Sequence, residues 1–301
     1  MLNIEEQAMS AIRSRKASAE ASAEQNLQYL LGKPEFLDNY DEIQQQILVV
    51  ARSFGTAKEK VEKNKLNMLR QKQLNVVSNL GLNPTCLFPN YSCKICNDNG
   101  YLDGKKCQCL DQEIRKILYK NVNQGNKNFT FASSSDRVNV VAYSSCKEFC
   151  LSYPSAKYLN MLIMGKSGVG KTYLCSAIAN QFIDKEVETL FLTAYELNNK
   201  FLSIHLAELD RKLEMLESLQ SVPVLIIDDL GAEQIFKNVT LEYFFALINQ
   251  RNFARLTTII STNLSLTNIL SRYTERTFSR LANKHNTLLI ELVGADKRLS
   301  K

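Results

Sequence analysis

Hydrophobic and polar positions follow two different patterns along this chain. Residues 1 to about 80 contain many alanines, leucines, glutamates, glutamines and lysines but only one proline and two glycines, a composition that favours helices. The segment Gly32-Lys33-Pro34 should interrupt the first helix, with Asp38 or Asn39 capping the next one. Leucines and valines recur among charged residues from 57 to 80 and predict an amphipathic helix. Such helices pack on one another or on a partner, and the pattern leaves both open.

The rest of the chain contains short apolar runs separated by helical patterns, as expected for a parallel sheet covered by helices. After the first run, Leu174, Ile178 and Phe182 recur at the i, i+4 and i+8 positions of a helix that packs on a sheet. The sequence therefore predicts an α/β fold with a central parallel sheet. Its expected strands are residues 158–164, 188–194, 222–227, 256–261 and 287–293.

Two further helices are predicted between these runs. Residues 195–219 are expected to form one helix, because leucines recur there at alternating steps of four and three: Leu202, Leu206, Leu209, Leu213 and Leu216. That helix either lies on the core or protrudes as an arm toward a polymer or a neighbour, and the spacing leaves both open. Thr240 is expected to cap the following helix, which runs to about Phe253.

A glycine-rich loop follows the first apolar run. The sequence Gly165-x-x-x-x-Gly170-Lys171-Thr172 has the spacing of a phosphate-binding loop, in the required order of strand, loop and helix. Glycines let backbone N–H groups approach the β- and γ-phosphates of a nucleotide, and the helix directs its positive end at the same anion. Lys171 is expected to contact the phosphates, and Thr172 to hold Mg²⁺. The predicted ATP-binding residues of the loop are Gly165, Lys166, Ser167, Gly168, Val169, Gly170, Lys171 and Thr172.

Polar residues at the ends of two later runs supply further catalytic candidates. Asp228 and Asp229 directly follow a buried strand. Asp228 is expected to hold Mg²⁺, usually through water, and Asp229 to orient or deprotonate the attacking water. Asn263 ends the next strand, where its amide can help to hold that water. Glu233 follows four residues after Asp229 and is expected to form a salt bridge at a subunit edge.

Three arginines follow at steps of four residues, Arg272, Arg276 and Arg280, and are expected to share one helical face. This face is either a solvated basic surface, or it directs an arginine at the γ-phosphate held by a neighbouring subunit. The spacing alone leaves the two interpretations open.

Five of the eight cysteines lie close together before the nucleotide domain. Cys93 and Cys96 form one pair and Cys107 and Cys109 another, with a turn-rich linker between them. Two such pairs suit a four-thiolate Zn²⁺ site, in which the linker forms a hairpin between the two pairs. Cys86 is an alternative ligand. Because the protein would fill all four positions, the zinc is expected to be structural; buried, unligated thiols are the other interpretation.

Composition narrows the function classes without selecting one. The 301 residues carry a net charge of +6, which permits contact with nucleic acid but does not require it. We expect a cytoplasmic protein without membrane contact, because no apolar stretch suits a transmembrane helix, no export signal is evident and eight cysteines suit a reducing compartment. Residues 121–136 predict a linker, in which Phe129 and Phe131 either cover an adenine base or close the edge of the core.

Together these motifs resemble the DnaC/DnaI family of bacterial replicative helicase loaders, within the AAA+ superfamily. GKSGVGKT, LIIDDLGAE, ISTN and ERTFSRL match that family's order, and CKICNDNGYLDGKKCQC resembles the cysteine segment of its Gram-positive type. The resemblance spans nearly the whole chain and implies an AAA+ ATPase domain preceded by a small helical and zinc-binding domain. The implied boundaries are a helicase-interaction region at 1–85, a cysteine module at 86–110, a linker at 111–135 and the ATPase domain at 136–301.

The same resemblance implies roles for individual residues. Asn263 corresponds to sensor 1, Arg276 to an arginine finger that acts in trans, and Arg298 to the sensor 2 arginine. The implied cofactors are ATP, Mg²⁺ and Zn²⁺. The implied partners are a hexameric replicative helicase and single-stranded DNA, with self-association through the AAA+ domains up to a hexamer on the helicase. The helix at 195–219 falls where initiator-type members carry an insertion that binds single-stranded DNA.

Two other interpretations share these motifs. A transposition helper ATPase of the IstB type resembles this chain in its ATPase domain but normally lacks a cysteine module. A non-hydrolysing adaptor would bind the nucleotide only as a structural clamp. The intact set of Lys171, Asp228, Asp229 and Arg276 argues against that adaptor.

Overall fold

The computed structural model describes residues 4–120, 122 and 127–298 of the chain. By its internal contacts the chain divides into two compact units, Met1–Glu113 and Ile114–Lys301. The boundaries predicted at residues 85, 110 and 135 stay predictions. Among the described helices, none combines the length and the apolar character that a membrane span requires.

Three helices and a short hairpin make up most of the first unit. The helices are α1 (Ile4–Leu31), α2 (Pro34–Arg52) and α3 (Glu59–Asn79), and the antiparallel hairpin consists of β1 (Tyr101–Leu102) and β2 (Lys105–Lys106). Leu30, Phe36 and Val77 are fully buried in one cluster between the three helices. The helical composition, the break after α1 and the helix near 57–80 are therefore confirmed. Helix α4 (Gln108–Lys120) follows the hairpin.

The cap predicted for the second helix is wrong. Helix α2 already begins at Pro34, whose fixed φ and missing N–H suit the first turn of a helix. The expected cap residues, Asp38 and Asn39, therefore lie within the helix. Asn39 is buried, and its side-chain amide donates to the carbonyl oxygen of Leu69 at 3.4 Å.

A five-stranded parallel sheet forms the centre of the second unit. Its strands are β3 (Asn160–Gly165), β4 (Thr189–Thr193), β5 (Val224–Leu230), β6 (Thr257–Thr262) and β7 (Thr287–Leu292). They are arranged in the order β4-β5-β6-β3-β7, and every neighbouring pair is parallel. The predicted α/β fold is confirmed. Because all strands point the same way, the residues after β3, β5 and β6 meet at one edge of the sheet.

Helices cover this sheet. They are α5 (Val140–Ser152), α6 (Lys171–Asp184), α7 (Ala194–Leu206), α8 (Leu209–Gln220), α9 (Thr240–Phe253), α10 (Leu266–Arg272) and α11 (Glu275–Leu281). Helix α6 buries Leu174, Ile178 and Phe182 completely, as the spacing predicts. Helices α7 and α9 pack with the side chains of β5 and β6 in a separate core cluster.

The single helix predicted over 195–219 is wrong. Helix α7 ends at Leu206 and α8 starts at Leu209, because Ala207 and Glu208 have extended backbone with ψ near 155°. The residues of α7 that face the core are Leu197, Phe201 and Ile204. The leucine series of the sequence therefore spans two helices, and three of its members are exposed: Leu206, Leu209 and Leu213.

Thr240 does not cap α9 as predicted, because it is the first residue of that helix and Val239 is the capping position. Its hydroxyl instead donates to Asn198 at 2.7 Å and accepts from the N–H of Phe236 at 2.9 Å. Thr240 thus ties the start of α9 to helix α7.

The three arginines expected on one helical face lie on two helices. Arg272 is the last residue of α10, whereas Arg276 and Arg280 belong to α11. Tyr273 and Thr274 separate the helices, and the Thr274 hydroxyl caps α11 by accepting from the N–H of Thr277. The prediction of a shared face is therefore wrong for Arg272.

Candidate nucleotide site and cysteine cluster

The loop from Gly165 to Thr172 joins β3 to the first turn of α6. Gly170 occupies the position before α6 and has a φ of 105°, and Gly168 has a φ of 77°. Residues other than glycine rarely adopt these backbone conformations. A Cβ atom on Gly168 would also lie only 1.9 Å from the carboxylate of Asp296. The positive φ favours glycine at both positions, and at Gly168 the close approach of the Asp296 side chain adds a second reason.

Lys171 spans the mouth of this loop. Its ammonium donates to the carbonyl oxygens of Gly165 at 2.9 Å and Lys166 at 2.8 Å, and also to the side-chain oxygen of Asn263. Burial lowers the pKa of Lys171, and the carboxylates at the end of β5 oppose that shift. The ammonium is thus held at the edge where the sheet delivers its polar residues.

Asp228 lies at the end of β5, buried and surrounded by hydroxyl groups. Thr172 donates to one of its oxygens at 2.8 Å, and Ser261 donates to the other. Hydroxyl and carboxylate oxygens are the donors that Mg²⁺ prefers, so the residues present fit this ion. Ser261 was missed as a site residue, although it stands in the ISTN motif directly before Thr262 and Asn263.

Asp229 is the second-to-last residue of β5, and its backbone is in the left-handed region with a φ of 57°. Strand β5 runs to Leu230 rather than ending at Ile227, and an irregularity between these two residues interrupts its register with β6. The side-chain amide of Asn263 donates to the Asp229 carboxylate at 2.7 Å. The sheet therefore joins an acid and an amide from neighbouring strands, as the sequence predicts for a water-holding pair.

A cavity of about 560 Å³ lies above this edge of the sheet. It contains most of the predicted site residues: Ser167, Gly168, Gly170, Lys171, Thr172, Asp228, Asp229, Asn263 and Arg298. Phe129 also lines the cavity and stacks on Tyr173 with 4.5 Å between ring centroids, whereas Phe131 packs edge-on against Tyr143. Of the two aromatic residues considered for the base, the structure places Phe129 at the cavity.

The carboxyl-terminal segment closes one side of the cavity. The N–H of Lys297 donates to the carbonyl oxygen of Gly168 at 3.0 Å, and its ammonium pairs with Asp136. Burial alone would raise the pKa of Asp136, but the Lys297 ammonium and the donors of Asn139 outweigh it and lower the pKa to about 2. Lys297 and Asp136 carry no recognisable motif, so spacing could not have identified them.

Arg276 is exposed on α11 and, among the described residues, does not belong to those that line the cavity of its own chain. Arg280, one turn further along, donates to Asn249 at 2.6 Å and lies over the ring of Phe245. Of the arginines on α11, Arg276 therefore presents its guanidinium to the outside.

In the first unit, the four cysteines chosen from the sequence lie together. The Sγ atoms of Cys93, Cys96, Cys107 and Cys109 are all within 4.8 Å of one another. The hairpin β1–β2 joins the two pairs, as predicted. Cys86 lies outside this group and packs beside the helical cluster.

Polar contacts hold the first cysteine pair in shape. The Asp98 carboxylate accepts from the N–H of Ser92 at 2.8 Å and of Cys93 at 3.0 Å, and it pairs with Arg15 at 2.9 Å. The N–H of Cys96 lowers the pKa of the Cys93 thiol to about 7. Four cysteine sulfurs that lie this close together are compatible with a zinc site, and the hydrogen bonds of Asp98 to the backbone around Cys93 support their arrangement.

The parallel sheet, the glycine-lined loop and the acids at one edge define a P-loop nucleotide-binding protein. The model of the IstB-like ATP binding protein family matches residues 113–281, which is more than half of the chain. The chain belongs to this family of AAA+ proteins, and the family resemblance seen in the motifs is confirmed.

Individual relatives are similar over about half of the chain. The chain is 30% identical over 166 residues to the replicative helicase loader DnaI of Bacillus subtilis strain 168, covering 54% of this chain and 51% of that protein. It is 27% identical over 164 residues to the putative ATP-binding protein of insertion sequence IS232 from Bacillus thuringiensis subsp. berliner, covering 51% and 62%. The chain thus spans about half the length of the curated relatives it matches.

Among solved structures, a crystal structure of DnaI matches with a TM-score of 0.46 and 26% identity, covering 61% of this chain and 93% of that chain.

Proposed function

We propose that this chain is an ATPase that loads a replicative DNA helicase onto single-stranded DNA during initiation or restart of replication. The observation that carries this proposal is the combination of Lys171, Thr172, the acid pair and Asn263 around one cavity with a four-cysteine cluster in a separate helical unit. The similarity to the helicase loader DnaI supports the choice of a helicase as the partner.

The predicted site residues at the cavity have the following roles in the proposed hydrolysis of ATP. Lys171 and the loop N–H groups bind the phosphates, and Thr172 with Asp228 would hold Mg²⁺. When bound, Mg²⁺ neutralises negative charge on the β- and γ-phosphates. Asp229 and Asn263 orient the attacking water, and Asp229 accepts a proton from that water as the general base. Arg298 contacts the phosphates from the carboxyl-terminal side, as sensor 2.

The exposed position of Arg276 supports a finger that reaches the site of the next subunit. Such a finger stabilises charge that develops on the γ-phosphate during hydrolysis. Turnover would then require neighbouring ATPase units, up to a hexamer on the helicase, and hydrolysis would release the loader. Contact with single-stranded DNA would be mainly electrostatic, so its affinity should fall steeply with salt.

The first unit is proposed to grip the helicase, with Cys93, Cys96, Cys107 and Cys109 holding a structural zinc. Helices α2 and α3 and the turn between them expose several large apolar side chains that the unit itself does not cover: Leu48, Phe54, Val61 and Met68. Exposed apolar side chains of this kind suit a protein partner better than a polyanion.

Capture of the replicative helicase by the full-length chain tests this function. The wild-type chain should retain the helicase, and Phe54→Ser with Met68→Ser should weaken retention at least tenfold. The matched control is Tyr195→Ser, which removes an equally exposed aromatic side chain from the second unit. If the wild-type chain retains no helicase with ATP and Mg²⁺ present, the loader proposal is wrong.

A transposition helper is the second candidate, and the similarity to the IS232 protein favours it. Such a protein should bind a transposase or transposon-end DNA in preference to the helicase. Parallel capture experiments with helicase and with transposase therefore separate the two functions. The non-hydrolysing adaptor predicts ATP binding without release of phosphate, which a phosphate assay measures directly.

A further inference from the structure

A buried carboxylate lies just beyond the acid pair. Glu233 stands four residues after Asp229, and its side chain is only 3% exposed. One of its oxygens accepts from the N–H of Gly231 at 2.8 Å. The other accepts from the hydroxyl of Tyr273, which is itself buried. Glu233 thus connects the segment after β5 to the end of α10.

A second set of contacts reinforces this connection. The Arg272 guanidinium donates to the carbonyl oxygen of Glu233, and its Nε atom is 3.7 Å from the Glu233 carboxylate. The Tyr273 ring packs on Phe244 of α9 with 5.4 Å between centroids. Burial, together with the negative charge of Glu233, raises the pKa of the Tyr273 hydroxyl, so this hydroxyl stays a donor.

Only short segments of chain separate the contacts of Glu233 from Asp229 on one side and from Arg276 on the other. Asp229 and Gly231 both have positive φ, and the carbonyl oxygen of Leu230 between them accepts from the Thr262 hydroxyl of β6. This pins the strand end from which Gly231 meets Glu233.

On the other side, Thr274 follows Tyr273 directly and caps α11, whose second residue is Arg276. One residue therefore separates Asp229 from Gly231, which donates to Glu233, and two residues separate Tyr273 from Arg276.

Burying a carboxylate is unfavourable unless its oxygens are fully hydrogen-bonded. An apolar side chain of similar size could fill this space without that cost, as in other buried ion pairs. Glu233 instead makes directional bonds to two segments that lie far apart in the sequence but lead to the acid pair and to the finger. Such bonds fix relative position more strictly than apolar packing does.

We propose that Glu233 is a positioning residue that fixes the helix carrying Arg276 relative to the acid pair, and that it acts through Arg276 on the site of the neighbouring subunit. This inference rests on the proposed hydrolysis in trans. Glu233 is not among the residues that line the proposed nucleotide cavity, so ATP affinity should not depend on it.

Glu233→Gln tests the proposal because it keeps nearly the same side-chain shape. Its amide group has only one oxygen, so it can replace only one of the two carboxylate oxygens that accept hydrogen bonds. DNA-stimulated kcat should fall about tenfold while the Kd for ATP changes less than about twofold, because a misplaced finger affects the transition state alone. Tyr273→Phe removes only the hydroxyl and should reproduce this split if Glu233→Gln folds poorly. Glu188→Gln is the matched control, a partly buried glutamate before β4 that should leave both values unchanged.

Mixed oligomers show on which subunit Glu233 acts. An Asp229→Asn chain has an inactive site but an intact finger, whereas an Arg276→Ala chain has an intact site and no finger. If Glu233 acts through Arg276, mixing Glu233→Gln with Asp229→Asn restores turnover, and mixing it with Arg276→Ala does not. The reverse pattern, or wild-type kcat in Glu233→Gln and Tyr273→Phe, overturns the inference.

The same experiment separates this inference from the proposed function. If Arg276→Ala alone turns over ATP at the wild-type rate, hydrolysis in trans is wrong, and with it this part of the proposed function. If Arg276→Ala loses turnover and is rescued by Asp229→Asn while Glu233→Gln is not, only the role of Glu233 is wrong.

Discussion

The side-chain amide of Asn263 donates to the Asp229 carboxylate at 2.7 Å, across the carboxyl ends of two neighbouring strands. The carbonyl oxygen of the same amide accepts from the ammonium of Lys171. One side chain thus contacts both Lys171 and Asp229. In the proposed mechanism, Asn263 connects the lysine that binds the phosphates to the general base.

We expect Asn263→Ala to lower kcat for ATP hydrolysis about a hundredfold, because the base and the attacking water lose the group that orients them. The Kd for ATP should change by less than about threefold, since Lys171 keeps its contacts with the loop carbonyls. Nucleotide titration and a phosphate-release assay measure the two values. Asn268→Ala, on the exposed side of α10, is the control and should change neither. Wild-type kcat in Asn263→Ala would rule out the water-orienting role.

Lys171→Ala should abolish ATP binding, because it removes the ammonium that is held beside the phosphate loop by the carbonyl oxygens of Gly165 and Lys166. Arg276→Ala should bind ATP normally but lose DNA-stimulated turnover, by about a thousandfold if it acts as a finger. Arg280→Ala is the matched control on the same helix, where the guanidinium is already engaged by Asn249. Equal losses in Arg276→Ala and Arg280→Ala would indicate a structural effect on α11 instead.

The four-cysteine cluster predicts one zinc per chain. Cys93→Ser should remove the metal, whereas Cys86→Ser should retain it, because Cys86 lies outside the cluster. Metal content after purification and dialysis measures both. Structural zinc sites stabilise small units strongly, so chelation should also lower the unfolding temperature of the wild-type chain. Unchanged zinc content in Cys93→Ser would exclude this ligand set.

Gly168→Ala should weaken ATP binding about tenfold and destabilise the second unit by about 1–2 kcal/mol, through a strained φ and a clash with Asp296. The control is Gly55→Ala, whose φ of 76° is nearly the same but whose Cβ would meet open space. Adding Asp296→Ala to Gly168→Ala should recover the part due to the clash. Isothermal titration and urea unfolding give the two readouts, and equal effects of both glycine substitutions on unfolding would show that the clash contributes nothing.

Asp136 should stabilise the fold in a pH-dependent way. Its pKa lies at about 2 in the folded chain, below the ordinary 3.8, so its contribution is complete above about pH 4 and is lost as the pH falls toward 2. The shift corresponds to about 2 kcal/mol at most, and to about 1 kcal/mol once the partial exposure of Lys297 is considered. The stability difference between the wild-type chain and Asp136→Asn, measured by urea unfolding, should therefore shrink from pH 6 to pH 2.5. A difference that is constant or grows over this range contradicts the ion pair with Lys297.

The sequence alone determined the elements that depend on local chemistry. A short apolar run that ends at a glycine or at polar residues favours a buried strand, and a phosphate loop needs its glycines, lysine and threonine at fixed spacing. The five strands, the loop, the acid pair, Asn263 and the four clustered cysteines were therefore all predicted. Arg298 was placed at the cavity by resemblance, and the structure locates it there.

Only the tertiary structure decided the features that depend on what surrounds a residue. The leucine spacing continues through the helix break at Ala207, and the arginine spacing continues through the break at Tyr273. Spacing alone therefore did not predict where either helix ends. The contacts of Lys297 with Asp136 and of Glu233 with Tyr273 join residues that are far apart in sequence, and no spacing rule pairs them. Burial and partners set the strength of such polar contacts, and both arise only when the chain is folded.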